Sequence, residues 1–232
     1  MIVAVSGGKG GVGKSTVSLN LARELDAVVV DADLATADLP RGSGADLHDV
    51  LAGRADPLEA VDSFGSIRIL PCGRTLAGAR ASNLPELERV VDRLERECSR
   101  VVIDCPAGLA RDVGTQLECA HVAVLVTTPT KAALVDALRT REIALELDTP
   151  IASVVCNRAA ADESEHLATR VERELGAPTA VIEERSAVDD AMARWQPVRD
   201  AYPDCDAVDA FEAVAHSIER CEKRLSGRIG VL

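Results

Sequence analysis

The run Ser6-Gly7-Gly8-Lys9-Gly10-Gly11-Val12-Gly13-Lys14-Ser15-Thr16 constrains this chain more than any other stretch. An apolar run, Ile2 to Val5, precedes it, and an amphipathic run, Val17 to Leu25, follows it. The order is strand, glycine loop, helix. Gly8, Gly13, Lys14 and Ser15 fall on the fixed positions of G-x-x-x-x-G-K-[ST], a phosphate-binding loop. With glycine at about 7% of residues, a chance match in a chain this long arises roughly one time in a hundred. In such a loop, glycines let successive backbone N–H groups turn inward around phosphates. The helix behind adds free N–H donors and a partial positive charge. Gly10, Gly11, Val12 and Thr16 complete the cradle. Lys14 is placed to reach the β- and γ-phosphates, and the Ser15 hydroxyl to ligate magnesium.

Later strands repeat one pattern. Ala27-Val28-Val29-Val30 is apolar on both faces, as parallel strands are, and ends in Asp31-Ala32-Asp33. Val101-Val102-Ile103 ends in Asp104, followed by Cys105-Pro106-Ala107-Gly108. Carboxylates just past the C-terminal ends of parallel strands sit on the ligand-binding edge of such a sheet. Further strands are expected at 67–70, 121–126, 151–156 and 178–182. Helices are expected at 47–51, 57–61, 86–98, 131–147, 167–175 and over the long stripe from Val208 to Leu225. Strands and helices alternate about seven times. The expected fold is α/β, a mostly parallel sheet with helices on both faces, and one domain over residues 1–232.

Hydrophobic residues make up 47% of the chain and aromatics 2%, so the core must be built from Val, Leu, Ile and Ala. No apolar run reaches the roughly 18 residues of a membrane span. The opening Met1-Ile2-Val3-Ala4-Val5 lacks a basic segment and is needed as a strand, so it does not read as a signal peptide. Seven cysteines are scattered with no C-x-x-C pair, which fits a reduced, cytoplasmic chain. The four histidines, His48, His121, His166 and His216, show no metal spacing. The net charge is -12, and the only lysines are Lys9, Lys14, Lys131 and Lys223. Such a balance fits a salty cytoplasm, where screening shortens self-repulsion. An arginine-favouring, GC-rich genome is the other reading. Either way the charge opposes non-specific nucleic-acid binding.

Lys9 refines the reading. Lys9-Gly10-Gly11-Val12-Gly13-Lys14-Ser15-Thr16 resembles the deviant Walker A motif of the MinD/ParA family of ATPases. Asp31 to Leu39 looks like that family's first switch, and Asp104 to Gly108 like its Walker B strand end and second switch. The resemblance covers most of the chain and is strongest at 6–39, 101–108 and 151–157. It implies ATP/ADP and Mg²⁺ as cofactors, with slow, partner-stimulated hydrolysis. It further implies an ATP-dependent homodimer in which Lys9 reaches the partner's nucleotide. By the same match Asp33 positions the attacking water near the magnesium, and Asp104 supports the metal through water. Gly108 places its N–H near the γ-phosphate. Asn157, with Arg158 beside it, contacts the base. Catalytic residues are then Lys9, Lys14 and Asp33, and metal-binding ones Ser15, Asp33 and Asp104.

Two departures stand out. The stretch after Asp38 is shorter than in the family, and Glu183-Glu184-Arg185 replaces its proline–acid–aspartate. The tail 227–232 is too short for the membrane-targeting helix of many MinD-type proteins, so membrane contact is expected to be weak or absent. The implied role is a MinD-like switch that positions or regulates an unidentified protein partner, at the division site or in cell-surface machinery. A DNA-partitioning ATPase would need a local basic surface. An iron–sulfur carrier would need paired cysteines. A non-hydrolysing, nucleotide-dependent binding module would have no use for both Asp33 and Asp104.

Overall fold

The structure is a computed structural model of the 232-residue chain and describes residues 1–8, 10–34, 36–108, 111–161 and 164–229. The side chains at 111, 164, 165, 228 and 229 lie outside that description.

Its centre is an eight-stranded sheet. The strands are β1 (Ile2–Ser6), β2 (Val28–Asp31), β3 (Asp62–Phe64), β4 (Ile67–Leu70), β5 (Val101–Asp104), β6 (Val122–Thr127), β7 (Ile151–Ala159) and β8 (Thr179–Glu183). Their spatial order is β3-β4-β2-β5-β1-β6-β7-β8. All neighbours pair in parallel except β3 and β4, which form an antiparallel hairpin at one edge. The helices are α1 (Lys14–Leu25), α2 (Leu47–Leu51), α3 (Leu76–Ala81), α4 (Leu87–Cys98), α5 (Arg111–Glu118), α6 (Lys131–Glu146), α7 (Ser164–Leu175), α8 (Ser186–Met192), α9 (Val198–Ala201) and α10 (Ala207–Ile229).

The period of two along each strand decides which helices cover which face. In β1, Val3 and Val5 join Val17 and Leu21 of α1 and Phe211, Val214 and Ile218 of α10 in one core. Ile2 and Ala4 point the other way, against Leu47 and Leu51 of α2, Leu87, Val91 and Leu94 of α4, and Leu117 of α5. A third cluster packs Leu134 of α6 and Leu167, Val171 and Leu175 of α7 onto β6 and β7. With so few aromatics, small aliphatic side chains fill nearly all of this volume. Among the described residues no helix is long and apolar enough to cross a membrane.

The α/β architecture is as expected, with local corrections. There are eight strands rather than seven, the addition being the short edge strand β3. Residues 57–60 form a single turn and not the helix expected over 57–61: the Asp56 carboxylate caps it through the Leu58 N–H at 2.9 Å, and the Asp56 carbonyl accepts the Ala60 N–H at 3.2 Å. Helices α3 and α5 were not anticipated. The last helix runs on to Ile229, into the stretch read as tail, and residues 230–232 lie outside the description.

Candidate functional site

From β1 the chain crosses to β2 on one side, and from β5 it crosses past β1 to β6 on the other. Ligand crevices of open α/β sheets form at such switch points, beyond the strand C-termini. The glycine loop lies there. Gly13 closes it as the N-cap of α1 with φ 98°, a left-handed conformation that a side chain disfavours. It offers no side-chain cap to α1, so the first-turn N–H groups face the cleft. Gly8 serves closeness instead: a Cβ there would come within 2.5 Å of the Asp136 Cβ on α6.

A cleft of about 270 Å³ opens over the loop. Of the residues read as site residues from the sequence, Gly10, Gly11, Gly13, Lys14, Ser15, Thr16, Asp33, Asp104 and Arg158 line it. Gly108, at φ 95°, follows the lining residue Ala107. Lys9 lies outside the described residues, and its role stays an expectation.

Val12 and Asn157, read as site residues from the sequence, lie behind the wall and shape it. The buried Asn157 donates through Nδ2 to the Val12 carbonyl at 2.9 Å, and its Oδ1 accepts the Arg158 N–H at 3.0 Å. Arg158 itself donates to the Gly11 carbonyl at 3.1 Å. The end of β7 therefore clamps the glycine loop at two carbonyls. Glu183, Glu184 and Arg185 are not among the lining residues. Arg185 turns instead to Asp206 and Glu183.

The acidic end of the cleft is electrostatically expensive. Asp31 and Asp104 are register partners on adjacent strands, and both are buried. Burial pushes the Asp104 carboxyl up to about 6, against hydrogen bonds from the Ser15 and Ser18 hydroxyls and the charge of Lys14. Ser18 Oγ donates to Asp104 Oδ1 at 2.9 Å. Asp31 is pushed further, to about 7, by burial and then by the charge of Asp104, although the Asp33 and Leu39 N–H groups oppose this. Two buried carboxylates beside a phosphate cradle call for a hard cation. Ser15 and Asp104 supply the hydroxyl and carboxylate oxygens that suit Mg²⁺ shared with phosphates. The residues therefore fit a magnesium–nucleotide complex.

Asp33 is held by a turn of its own, its Oδ1 accepting the Thr36 N–H at 2.8 Å. The segment around it is hung from outside by its carbonyls. Gln116 of α5 donates to Ala32 O at 2.8 Å, and Arg74 to Leu39 O at 2.9 Å. The ring Nε2 of buried His48 lies 3.2 Å from Leu34 O. Cys105 also lines the cleft, but burial and the neighbouring Asp104 push its thiol up, so it is not a nucleophile. Sequence reasoning missed Asp38, Met192 and Trp195, which line the cleft as well.

Comparison with known proteins gives concordant results. Residues 1–172 match the ParA family model, described as NUBPL iron-transfer P-loop NTPases. An uncharacterized ATP-binding protein of Methanocaldococcus jannaschii is 32% identical over 225 residues, covering 92% of this chain and 85% of that one. The cell division ATPase MinD of Pyrococcus furiosus superposes with a TM-score of 0.85 at 29% identity, covering 94% of this chain and 98% of that one. The septum site-determining protein MinD of Pyrococcus horikoshii, complexed with Mg-ADP, gives 0.84 at 27% identity, covering 94% and 95%.

Proposed function

We propose that this chain, which belongs to the ParA family of P-loop NTPases, is an ATP-hydrolysing switch of the MinD kind that positions or regulates a protein partner. The observation that carries this reading is the meeting of four groups at one cleft. The uncapped N-terminus of α1, Lys14, Asp33 and the Asp31–Asp104 pair all face it. Backbone N–H groups and Lys14 bind the phosphates and stabilise charge on the transferring phosphoryl group. Ser15 and Asp104 would hold Mg²⁺, which supplies charge neutralisation when bound. Asp33, fixed by its turn, orients the attacking water.

Resemblance to MinD, a cell division ATPase in Pyrococcus furiosus, supports the positioning role. Two features of the sequence favour it over the family's other activities. The net charge of -12 opposes partitioning through DNA contact, and the absence of C-x-x-C opposes iron transfer. The ATP-bound state is a homodimer in which Lys9 reaches across to the partner's nucleotide.

Asp33→Ala is expected to slow ATP turnover about tenfold with ATP affinity within threefold of wild type; an unchanged rate refutes the assigned role. The same variant, slow to hydrolyse, should shift from monomer to dimer in high salt on adding Mg-ATP, as read by its mass in solution. Adding Lys9→Ala should abolish the shift. A monomer with ATP demonstrably bound would overturn the dimer switch.

A further inference from the structure

The cleft has two unlike ends. Asp31, Asp33 and Asp38 reach it from the β2 side of β1, whereas Arg158, Met192 and Trp195 reach it from beyond β7 and β8, on the other side. The glycine loop and Lys14 lie between. A nucleotide whose phosphates occupy the loop must direct its base toward one end. The acidic end accepts cations and repels the phosphate tail, while the far end offers an indole, a thioether and a guanidinium, all suited to a flat aromatic face.

Trp195 is placed there at a cost. It sits just past α8 with φ 53°, in the left-handed region where glycine ends a helix most easily. For a bulky residue this is an outlier that persists only when its surroundings enforce it. They do. The Trp195 N–H donates to Met192 O at 3.0 Å, and the Gln196 N–H to Ala191 O at 3.0 Å. The following turn is tied to the helix behind the glycine loop: buried Asn20 accepts the Val198 N–H at 2.7 Å while donating to Thr16 O at 2.8 Å. One side chain thus sets the register between the phosphate cradle and the turn that carries the indole.

We propose that Trp195 is a specificity-determining residue, forming with Met192 the wall on which the nucleotide base stacks. This rests on the nucleotide reading above. Trp195 is the sole tryptophan, so its emission reports the site directly. In titrations with Mg²⁺ present, ADP is expected to change Trp195 emission saturably, and inorganic tripolyphosphate, which has no base, to leave it unchanged while still binding by calorimetry. Trp195→Gly suits the left-handed backbone and keeps the fold. It should weaken ADP about tenfold, the usual scale for loss of one base–aromatic stack, and tripolyphosphate less than twofold. Trp195→Phe, which keeps a ring, should recover ADP binding to within threefold of wild type. Equal losses for ADP and tripolyphosphate, or unaltered ADP affinity in Trp195→Gly, would overturn the assignment and leave the phosphate site standing. Failure of wild type to bind either compound would overturn the nucleotide reading and this inference together.

Discussion

Gly13→Ala is expected to weaken ADP binding by about thirty- to a hundredfold while the protein stays folded. Two effects combine. Alanine at φ 98° costs about 1–2 kcal/mol in backbone conformation. Its Cβ would also lie 2.2 Å from Asn157 Nδ2, the donor that holds the Val12 carbonyl. Displacing that donor forfeits a hydrogen bond worth about 1 kcal/mol. The empty loop can relax away from both strains, so stability changes little. Binding demands the original loop, so the full sum, about 2–3 kcal/mol, appears in the affinity, where 1.4 kcal/mol is tenfold. Calorimetric titration measures it, and a loss under threefold would mean that the loop accommodates a side chain after all.

Asp31→Asn is expected to stabilise the nucleotide-free protein at pH 8 by about 2–4 kcal/mol and at pH 4 by less than about 1 kcal/mol. The folded-state pKa of about 7 lies above the ordinary 3.8. Between these values the folded protein holds a proton that the unfolded chain has released. Stability therefore falls as pH rises through that window, and the deficit is complete above about 7. Asparagine removes the charge and keeps an oxygen for one of the Asp33 and Leu39 N–H groups, which Asp31 accepts on separate oxygens at 3.4 Å. Urea denaturation at the two pH values tests this, and equal or lower stability of the variant at pH 8 would contradict it. A pair of carboxylates retained against its own stability belongs to a site that works with a cation present.

The site's phosphate end was legible because its chemistry is written locally. A glycine loop between a strand and a helix, and aspartates at the ends of apolar strands, need no tertiary knowledge. The base end was not, for three physical reasons. Asn157 was read through resemblance as a base contact, and its hold on the glycine loop is a long-range bond with no sequence signature. Trp195 occupies a position where helix-ending chemistry favours glycine, so nothing local marks it as a wall. Met192 reads simply as the last turn of a short helix.

The missed elements fail for related reasons. In α3 the only buried residue is Gly78, and Leu76 is 78% exposed, so no apolar face announces the helix. Helix α5 carries Gly114 at its middle, and one of its most buried side chains is the polar Gln116. Strand β3 spans three residues, none of them fully buried, and exists through the hairpin that Gly65 turns at φ 62°. In each case contacts made elsewhere in the chain, and not local periodicity, define the element.

The way the segment after β2 is suspended has a consequence for how this protein can evolve. Gln116, His48 and Arg74 grip the carbonyls of Ala32, Leu34 and Leu39. A carbonyl survives any substitution of its own residue. The shape of the segment is thus encoded at three distant donors, and most of its own letters are left open to drift. Mutational tolerance should be high at Leu34 and Thr36 and low at Gln116 and Arg74, inverting the usual intuition that a functional loop guards its own spelling.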